Sequence, residues 1–109
     1  MNWNALETID QLAAIDAESV SQPVLIFKHS TRCSISAASL ARMERGWSND
    51  SPVKPYYLDL IAFRTVSNEI ARHYGIEHES PQALLIRDGK CIYTESHMGI
   101  NADDLLTAL

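Results

Sequence analysis

Features that would mark a specialised class of protein are scarce in this sequence. Its 109 residues include only two cysteines, four glycines and four prolines. No apolar run approaches the roughly 20 residues that a membrane-spanning helix needs. The net charge of −5 argues against general binding to nucleic acid or to anionic membranes. The remaining composition, with 46% hydrophobic and 21% charged residues, predicts a soluble globular protein.

The N-terminal residues lack the pattern of a secretory signal. Residues 1–7 have neither the basic start nor the apolar core of a signal peptide. Two cysteines without such a signal indicate free thiols rather than a structural disulfide. The chain is long enough to bury one core, which predicts a single domain over residues 1–109. We expect a reduced, cytoplasmic protein.

The apolar pattern predicts strands that alternate with helices and then a hairpin. The predicted strands, in chain order, are 3–6, Val24–Phe27, Val53–Leu60, Ala83–Ile86 and Cys91–Tyr93. The predicted helices begin at Thr8, near Cys33, at Phe63 and after Asn101. Asp88-Gly89 is the strongest hairpin signal, so the last two strands must be antiparallel. The order is β-α-β-α-β-α-β-β-α.

Cys33 is the most informative residue, because it stands where a buried strand gives way to a helix. A thiol at a helix N-terminus faces unpaired backbone N–H groups and the positive end of the helix dipole, and both favour the thiolate. The thiolate is the nucleophile in disulfide exchange. Ser36 holds the position where a C-x-x-C protein has its second cysteine. Cys33 is therefore predicted to react without a neighbouring resolving thiol.

Cys91 is predicted to lie at the opposite end of the sheet from Cys33. It is next to the Asp88-Gly89 turn, about five residues or roughly 16 Å along the strand from the active end. A disulfide requires Cα atoms within about 7 Å of each other. We therefore interpret Cys91 as structural.

The element order, with a cysteine after the second strand and Ser80-Pro81 before the hairpin, is similar to the thioredoxin fold. Over nearly its whole length the chain resembles the YtxJ (BrxC) family of monothiol bacilliredoxin-like proteins in the thioredoxin-like superfamily. The resemblance rests on these segments: Phe27–Cys33, Ile35-Ser36, Phe63-Arg64 with Ser67-Asn68, His78–Gln82, and Ser96-His97. The family motif usually reads Thr-Cys-Pro-Ile-Ser. Here Arg32 replaces the threonine and Ser34 the proline, which alters the surroundings of the nucleophile.

The resemblance implies an α/β thioredoxin-like fold, with a mixed sheet flanked by helices, and a thiol-disulfide oxidoreductase. The implied reaction removes bacillithiol, a low-molecular-weight thiol, from mixed disulfides on protein cysteines. No cofactor is expected, because a small thiol serves as the co-substrate. The implied partners are S-bacillithiolated proteins and that small thiol, with no nucleic acid and no membrane.

Two groups of residues around Cys33 are candidates for the site. Cys33 is the expected nucleophile, and Ser36, about one turn later, is expected to donate a hydrogen bond to its thiolate. The expected substrate-binding residues are Lys28, His29, Arg32, Ser80, Pro81 and His97. The first three are read as a basic cluster beside the thiol, which would attract the malate carboxylates of bacillithiol. The resemblance also implies a cis Ser80–Pro81 bond that faces the nucleophile, leaving the Ser80 backbone to pair with a substrate backbone.

Two other functions stay open at this point. Cys33-Ser-Ile-Ser36 looks superficially like the Cys-Gly-Phe-Ser motif of monothiol glutaredoxins, which carry an iron–sulfur cluster, but Ser34 replaces the glycine and Ser30 the motif's lysine. The chain could alternatively be a redox-inactive binding module that keeps the fold. His73 and His78 have no partners at metal-ligand spacing, so no metal site is predicted.

Overall fold

One mixed five-stranded sheet organises the computed structural model, which describes residues 1–109. Its strands are β1 (Asn4–Ala5), β2 (Val24–His29), β3 (Lys54–Asp59), β4 (Gln82–Arg87) and β5 (Lys90–Ser96). They lie in the order β1-β3-β2-β4-β5. β1, β3 and β2 run parallel, whereas β4 is antiparallel to both β2 and β5. β2 is central, and burial of all six of its residues explains its run of apolar residues without alternation.

Four helices complete the predicted element order. They are α1 (Gln11–Ser21), α2 (Ser34–Gly46), α3 (Arg64–Tyr74) and α4 (Ala102–Thr107), with a short 3₁₀ turn at His97–Gly99 before α4. α1 begins at Gln11 rather than at the predicted Thr8. The reason is that the Gln11 Oε1 atom accepts the Thr8 N–H at 3.0 Å and holds Thr8 in the entry to the helix. The α/β fold class predicted from the sequence is confirmed.

The helices cover the two faces of the sheet and enclose two apolar cores. On one face, Leu12 and Ile15 of α1 and Val66 and Ile70 of α3 pack against the sheet. On the other face, α2 and α4 contribute residues that include Met43, Ala102 and Leu105. Because side chains alternate along a strand, Val24, Ile26 and Lys28 face α1 and α3, whereas Leu25, Phe27 and His29 face α2 and α4.

The hairpin between β4 and β5 forms as the Asp88-Gly89 pair predicts. Both residues have positive φ angles, 52° and 72°, which a two-residue type I′ turn requires. The Asp88 and Gly89 N–H groups donate to the backbone oxygen and the Oγ atom of Ser19, so the turn is fixed against α1.

The last helix is capped as predicted, because the Asn101 side chain accepts the Asp104 N–H at 2.9 Å. None of the helices is both long enough and apolar enough to cross a membrane.

Candidate functional site

Cys33 is the N-cap residue of α2, with φ −117° and ψ 122°. Its N–H donates to the Ser30 oxygen at 3.2 Å, and its own oxygen accepts the Ala37 N–H at 3.0 Å. No side chain caps this helix, and its first turn contains no acid. The thiol is free and partly exposed. The positive end of α2 is thus left without a compensating protein group beside an accessible sulfur.

Ser36 is engaged by the chain itself and not by Cys33, contrary to the sequence-based expectation. It is fully buried. Its Oγ atom accepts the Ser30 N–H at 3.0 Å and lies 2.7 Å from His29 Nδ1. No hydrogen bond joins Ser36 to the Cys33 sulfur. Ser36 therefore ties the end of β2 to the first turn of α2 and fixes the loop that carries Cys33.

The expected basic cluster of Lys28, His29 and Arg32 is divided among three environments. Lys28 is fully buried and faces α3, on the other side of the sheet from Cys33. His29 faces α2 and is 6% exposed. Only Arg32 is exposed, and it makes no hydrogen bond or ion pair within the chain. The sequence pattern missed this division because β2 extends two residues beyond its apolar run, so Lys28 and His29 belong to a strand and point in opposite directions.

Burial governs the titration of the two basic side chains of β2. It lowers the pKa of Lys28 to about 8. It also lowers the pKa of His29, although the charges of Asp59 and Glu44 act in the opposite direction. Lys28 has no carboxylate partner: its Nζ atom donates to the Ser67 oxygen at 3.1 Å and lies 3.2 Å from His78 Nδ1.

The segment before β4 lies at the same end of the sheet as Cys33. The Ser80–Pro81 peptide bond is cis, as the resemblance implied. In the ladder, Gln82 lies opposite Lys28, so Pro81 lies beside the end of β2 from which the chain leads to Cys33. The Gln82 Nε2 atom donates to the Glu77 oxygen at 3.0 Å, which holds this segment against the sheet.

His97 reaches this segment as expected. Its N–H donates to the Pro81 oxygen at 3.0 Å, and its Nε2 atom lies 3.5 Å from Glu79 Oε2. The His97 oxygen in turn accepts the Ser39 Oγ–H of α2 at 2.9 Å. These contacts join α2, Pro81 and His97 at the same end of the sheet as Cys33.

Arg42 of α2 is a supporting residue that the sequence interpretation did not identify. Its Nε and Nη2 atoms donate to the oxygens of Ile100 and Met98, at 2.9 and 3.2 Å. These contacts hold the His97–Gly99 turn against α2. An arginine within an amphipathic helix gives no signal for such a role in the sequence.

Cys91 lies at the other end of the sheet, in register with Ile86 and beside the hairpin turn. It is a free thiol, and burial raises its pKa. Its Sγ atom donates to the Tyr93 oxygen at 3.4 Å. The strand register therefore agrees with the interpretation that Cys91 is not a partner for Cys33.

No three or more His, Cys, Asp or Glu side chains converge in a way that could hold a metal ion.

Comparisons with solved structures identify the fold. A protein with a thioredoxin fold that has been proposed to be an oxidoreductase shares 31% identity, with a TM-score of 0.83 over 95% of this chain and 90% of that one. Thioredoxins from Malassezia sympodialis and Trypanosoma brucei brucei share only 16% and 15% identity. Both superpose over 98% of this chain and 87% of their own, with TM-scores of 0.74 and 0.75. At that identity they show the thioredoxin fold alone.

The comparison with family models carries the chemistry further. The model of the monothiol bacilliredoxin BrxC matches residues 4–105, which include every element from β1 to most of α4. The match spans Cys33 at the start of α2 and the cis Ser80–Pro81 bond that lies at the same end of the sheet. The chain therefore belongs to the BrxC family of monothiol bacilliredoxins, thiol oxidoreductases with a thioredoxin fold.

Proposed function

We propose that this chain removes bacillithiol from mixed disulfides on proteins, with Cys33 as the only reacting cysteine. The observation that carries the proposal is the placement of the two thiols. Cys33 lies at an uncapped helix start, whereas Cys91 lies beside the hairpin turn at the opposite end of the sheet, where burial raises its pKa. A reactive thiol with no second thiol nearby suits transfer of a small thiol, since internal closure of a disulfide needs a neighbouring one.

The proposed exchange has two steps, each of which breaks one S–S bond and forms another. The Cys33 thiolate attacks the bacillithiol sulfur of the mixed disulfide, so a disulfide forms between Cys33 and bacillithiol. The protein thiolate leaves and takes a proton from solvent. A second small-thiol thiolate then attacks the bacillithiol sulfur held by Cys33, which releases the oxidised small-thiol dimer and regenerates the Cys33 thiolate. No cofactor takes part.

Three parts of the site support this chemistry. The positive end of α2 favours the attacking thiolate. The backbone beside Pro81 offers an edge to which an extended substrate can add. Arg32, exposed and unpaired next to Cys33, offers a positive charge to the malate carboxylates of bacillithiol.

The test is the release of bacillithiol from a bacillithiolated protein by the wild type and two matched variants. We expect the Cys33→Ser variant to fall to the uncatalysed rate and the Cys91→Ser variant to keep nearly full activity. Circular dichroism and thermal unfolding check that both variants are folded. Activity that survives in the folded Cys33→Ser variant would overturn the proposal.

A further inference from the structure

Lys28 is the least expected buried group in the molecule. It is fully buried near the Cys33 end of the central strand, yet none of the ion pairs in the structure includes it. A buried cation is costly unless something compensates for its lost hydration. Its partners are the Ser67 oxygen and the His78 ring, neither of which carries a negative charge.

The contact with Lys28 fixes the protonation of His78. The pKa of Lys28 is about 8, so below that pH the lysine is an ammonium group, which can only donate hydrogen bonds. His78 Nδ1, 3.2 Å from Nζ, must therefore accept, and the ring proton must be on Nε2. Burial, followed by the charges of Lys28 and Arg64, lowers the pKa of His78 and so favours the neutral ring, although the charge of Glu79 acts in the opposite direction. His78, which is exposed, thus presents an N–H donor to the solvent.

Arg64 lies near enough to His78 for its charge to lower the pKa of the ring. Arg64 is the first residue of α3. One turn later, the Oγ atom of Ser67 lies 3.4 Å from His78 Nδ1. Residues three apart lie on the same face of a helix, so the Arg64 side chain starts from the face that packs against His78. Arg64 is exposed and has no acidic partner in the chain.

We propose that His78 and Arg64, supported by the buried Lys28, form a subsite for a carboxylate of the protein substrate. His78 and Arg64 contact the carboxylate, and Lys28 is a positioning residue that acts through His78. His78 precedes Ser80 by two residues. A substrate segment that pairs with the Ser80 backbone while its cysteine reacts at Cys33 therefore brings residues close to that cysteine towards His78. The subsite selects mixed disulfides that have an acidic residue close to the modified cysteine.

The support for His78 is tested by nitrogen NMR of its ring, without any reaction. In the wild type near pH 7 we expect a proton on Nε2 and none on Nδ1. In the Lys28→Met variant, which keeps a long apolar side chain, the pKa of His78 should rise towards its ordinary value. A proton on Nδ1 in the wild type, or an unchanged titration in the variant, would overturn the role of Lys28.

Selectivity is tested with pairs of bacillithiolated peptides that are identical except at one position, where one peptide has Asp and the other Asn. In one pair this position is two residues before the cysteine, and in a second pair it is two residues after it. We expect the wild type to prefer the Asp peptide in kcat/KM by about two- to five-fold at low ionic strength, and less in high salt. Arg64→Ala and Lys28→Met should each reduce this ratio towards one. Arg87→Ala, an exposed arginine at the other end of β4, should leave the ratio unchanged.

This inference rests on the proposed function, but the two fail in different ways. If both peptides of each pair are turned over with equal kcat/KM, the carboxylate subsite is wrong but the proposed reaction stands. If neither peptide is turned over, the proposed function is wrong. The NMR measurement on His78 then still decides whether Lys28 fixes its ring, because it requires no substrate.

Discussion

The two ends of the central strand pair differ sharply in chemistry. At the hairpin end, β2 and β4 meet through Val24 and Ile86, and both residues lie in the apolar core. At the other end, Lys28 lies opposite Gln82, and both are buried polar residues. The ends also differ in their thiols, because Cys91 lies beside the turn, where burial raises its pKa, and Cys33 lies beyond β2 at the start of α2.

The buried polar residues of the sheet are concentrated at the end where Cys33 lies. Buried polar groups require hydrogen bonds, and at the Cys33 end they hold the loops that surround the thiol. Gln82 holds Glu77, Lys28 contacts His78, and Ser36 with His29 holds Ser30. At the hairpin end the contact of Ser19 with Gly89 fixes only the turn. The polar residues at the Cys33 end thus position the site.

The largest expected contrast is in the reactivity of the two cysteines. Burial raises the pKa of Cys91, whereas Cys33 lies at the uncapped start of α2. At pH 7 we expect an alkylating reagent to modify Cys33 faster than Cys91, because a raised pKa leaves less of the Cys91 thiol as the reactive thiolate. Peptide mapping after short exposure measures both rates in the folded protein. Equal rates would remove the distinction between the two ends.

Lys28 should make stability depend on pH. Because its pKa is about 8 in the folded chain and 10.5 ordinarily, the unfolded chain binds more protons between these values. The contribution of Lys28 to the free energy of unfolding therefore rises with pH over that range, by up to about 3 kcal/mol. The measurement is denaturant unfolding of the wild type and of Lys28→Met from pH 7 to about 10.5. The tyrosines and Cys91 titrate in both proteins, so the difference between the two curves isolates the contribution of Lys28.

We expect the free energy of unfolding of the Lys28→Met variant to exceed that of the wild type by most near pH 7, and this difference to shrink as the pH rises. A stability difference between the two proteins that stays constant over the whole range would show that Lys28 is solvated in the folded state.

Removal of the Ser36 hydroxyl should have a smaller effect on stability. The Ser36→Ala variant leaves the Ser30 N–H and His29 Nδ1 without their partner, which should cost about 1–3 kcal/mol of unfolding free energy. Ser34→Ala, in the same turn but exposed, is the matched control and should cost much less. If both variants unfold at the same denaturant concentration, the contact of Ser36 does not stabilise the loop.

The smallest expected effect concerns Arg32 and the choice of small thiol. An exposed ion pair contributes about 1 kcal/mol or less, so the preference for bacillithiol over a thiol without its carboxylates should be at most about five-fold. Competition between the two thiols at low and high salt measures it. Arg32→Ala should lower the preference, and added salt should do the same. A preference that is independent of both would exclude selection by charge at this position.

The sequence predicted those features that depend on local pattern. The run Val24–Phe27 predicted the central strand, the Asp88-Gly89 pair predicted the hairpin, and Asn101 predicted the last helix cap. Each of these follows from residues close together in the chain. The position of Cys33 at a helix start was predicted in the same way.

The sequence did not predict the polar contacts of the site. Lys28 and His29 follow an apolar run and look like the beginning of a loop, but pairing with Leu58 and Asp59 keeps them in the strand. Only the length of the strand shows that they point to opposite faces. Ser36 was expected to donate a hydrogen bond to Cys33 because both residues lie in one helical turn. Its true partners come from the end of β2 and were visible only in three dimensions.

The central claim is that Cys33 alone accepts bacillithiol from a protein. It is tested most directly by mass spectrometry of the intact, fully reduced chain after brief incubation with a bacillithiolated protein, followed by peptide mapping. We expect a single bacillithiol adduct, located on Cys33, together with an equal amount of freed protein thiol. An adduct on Cys91, or loss of bacillithiol from the substrate without any adduct on Cys33, would contradict the account.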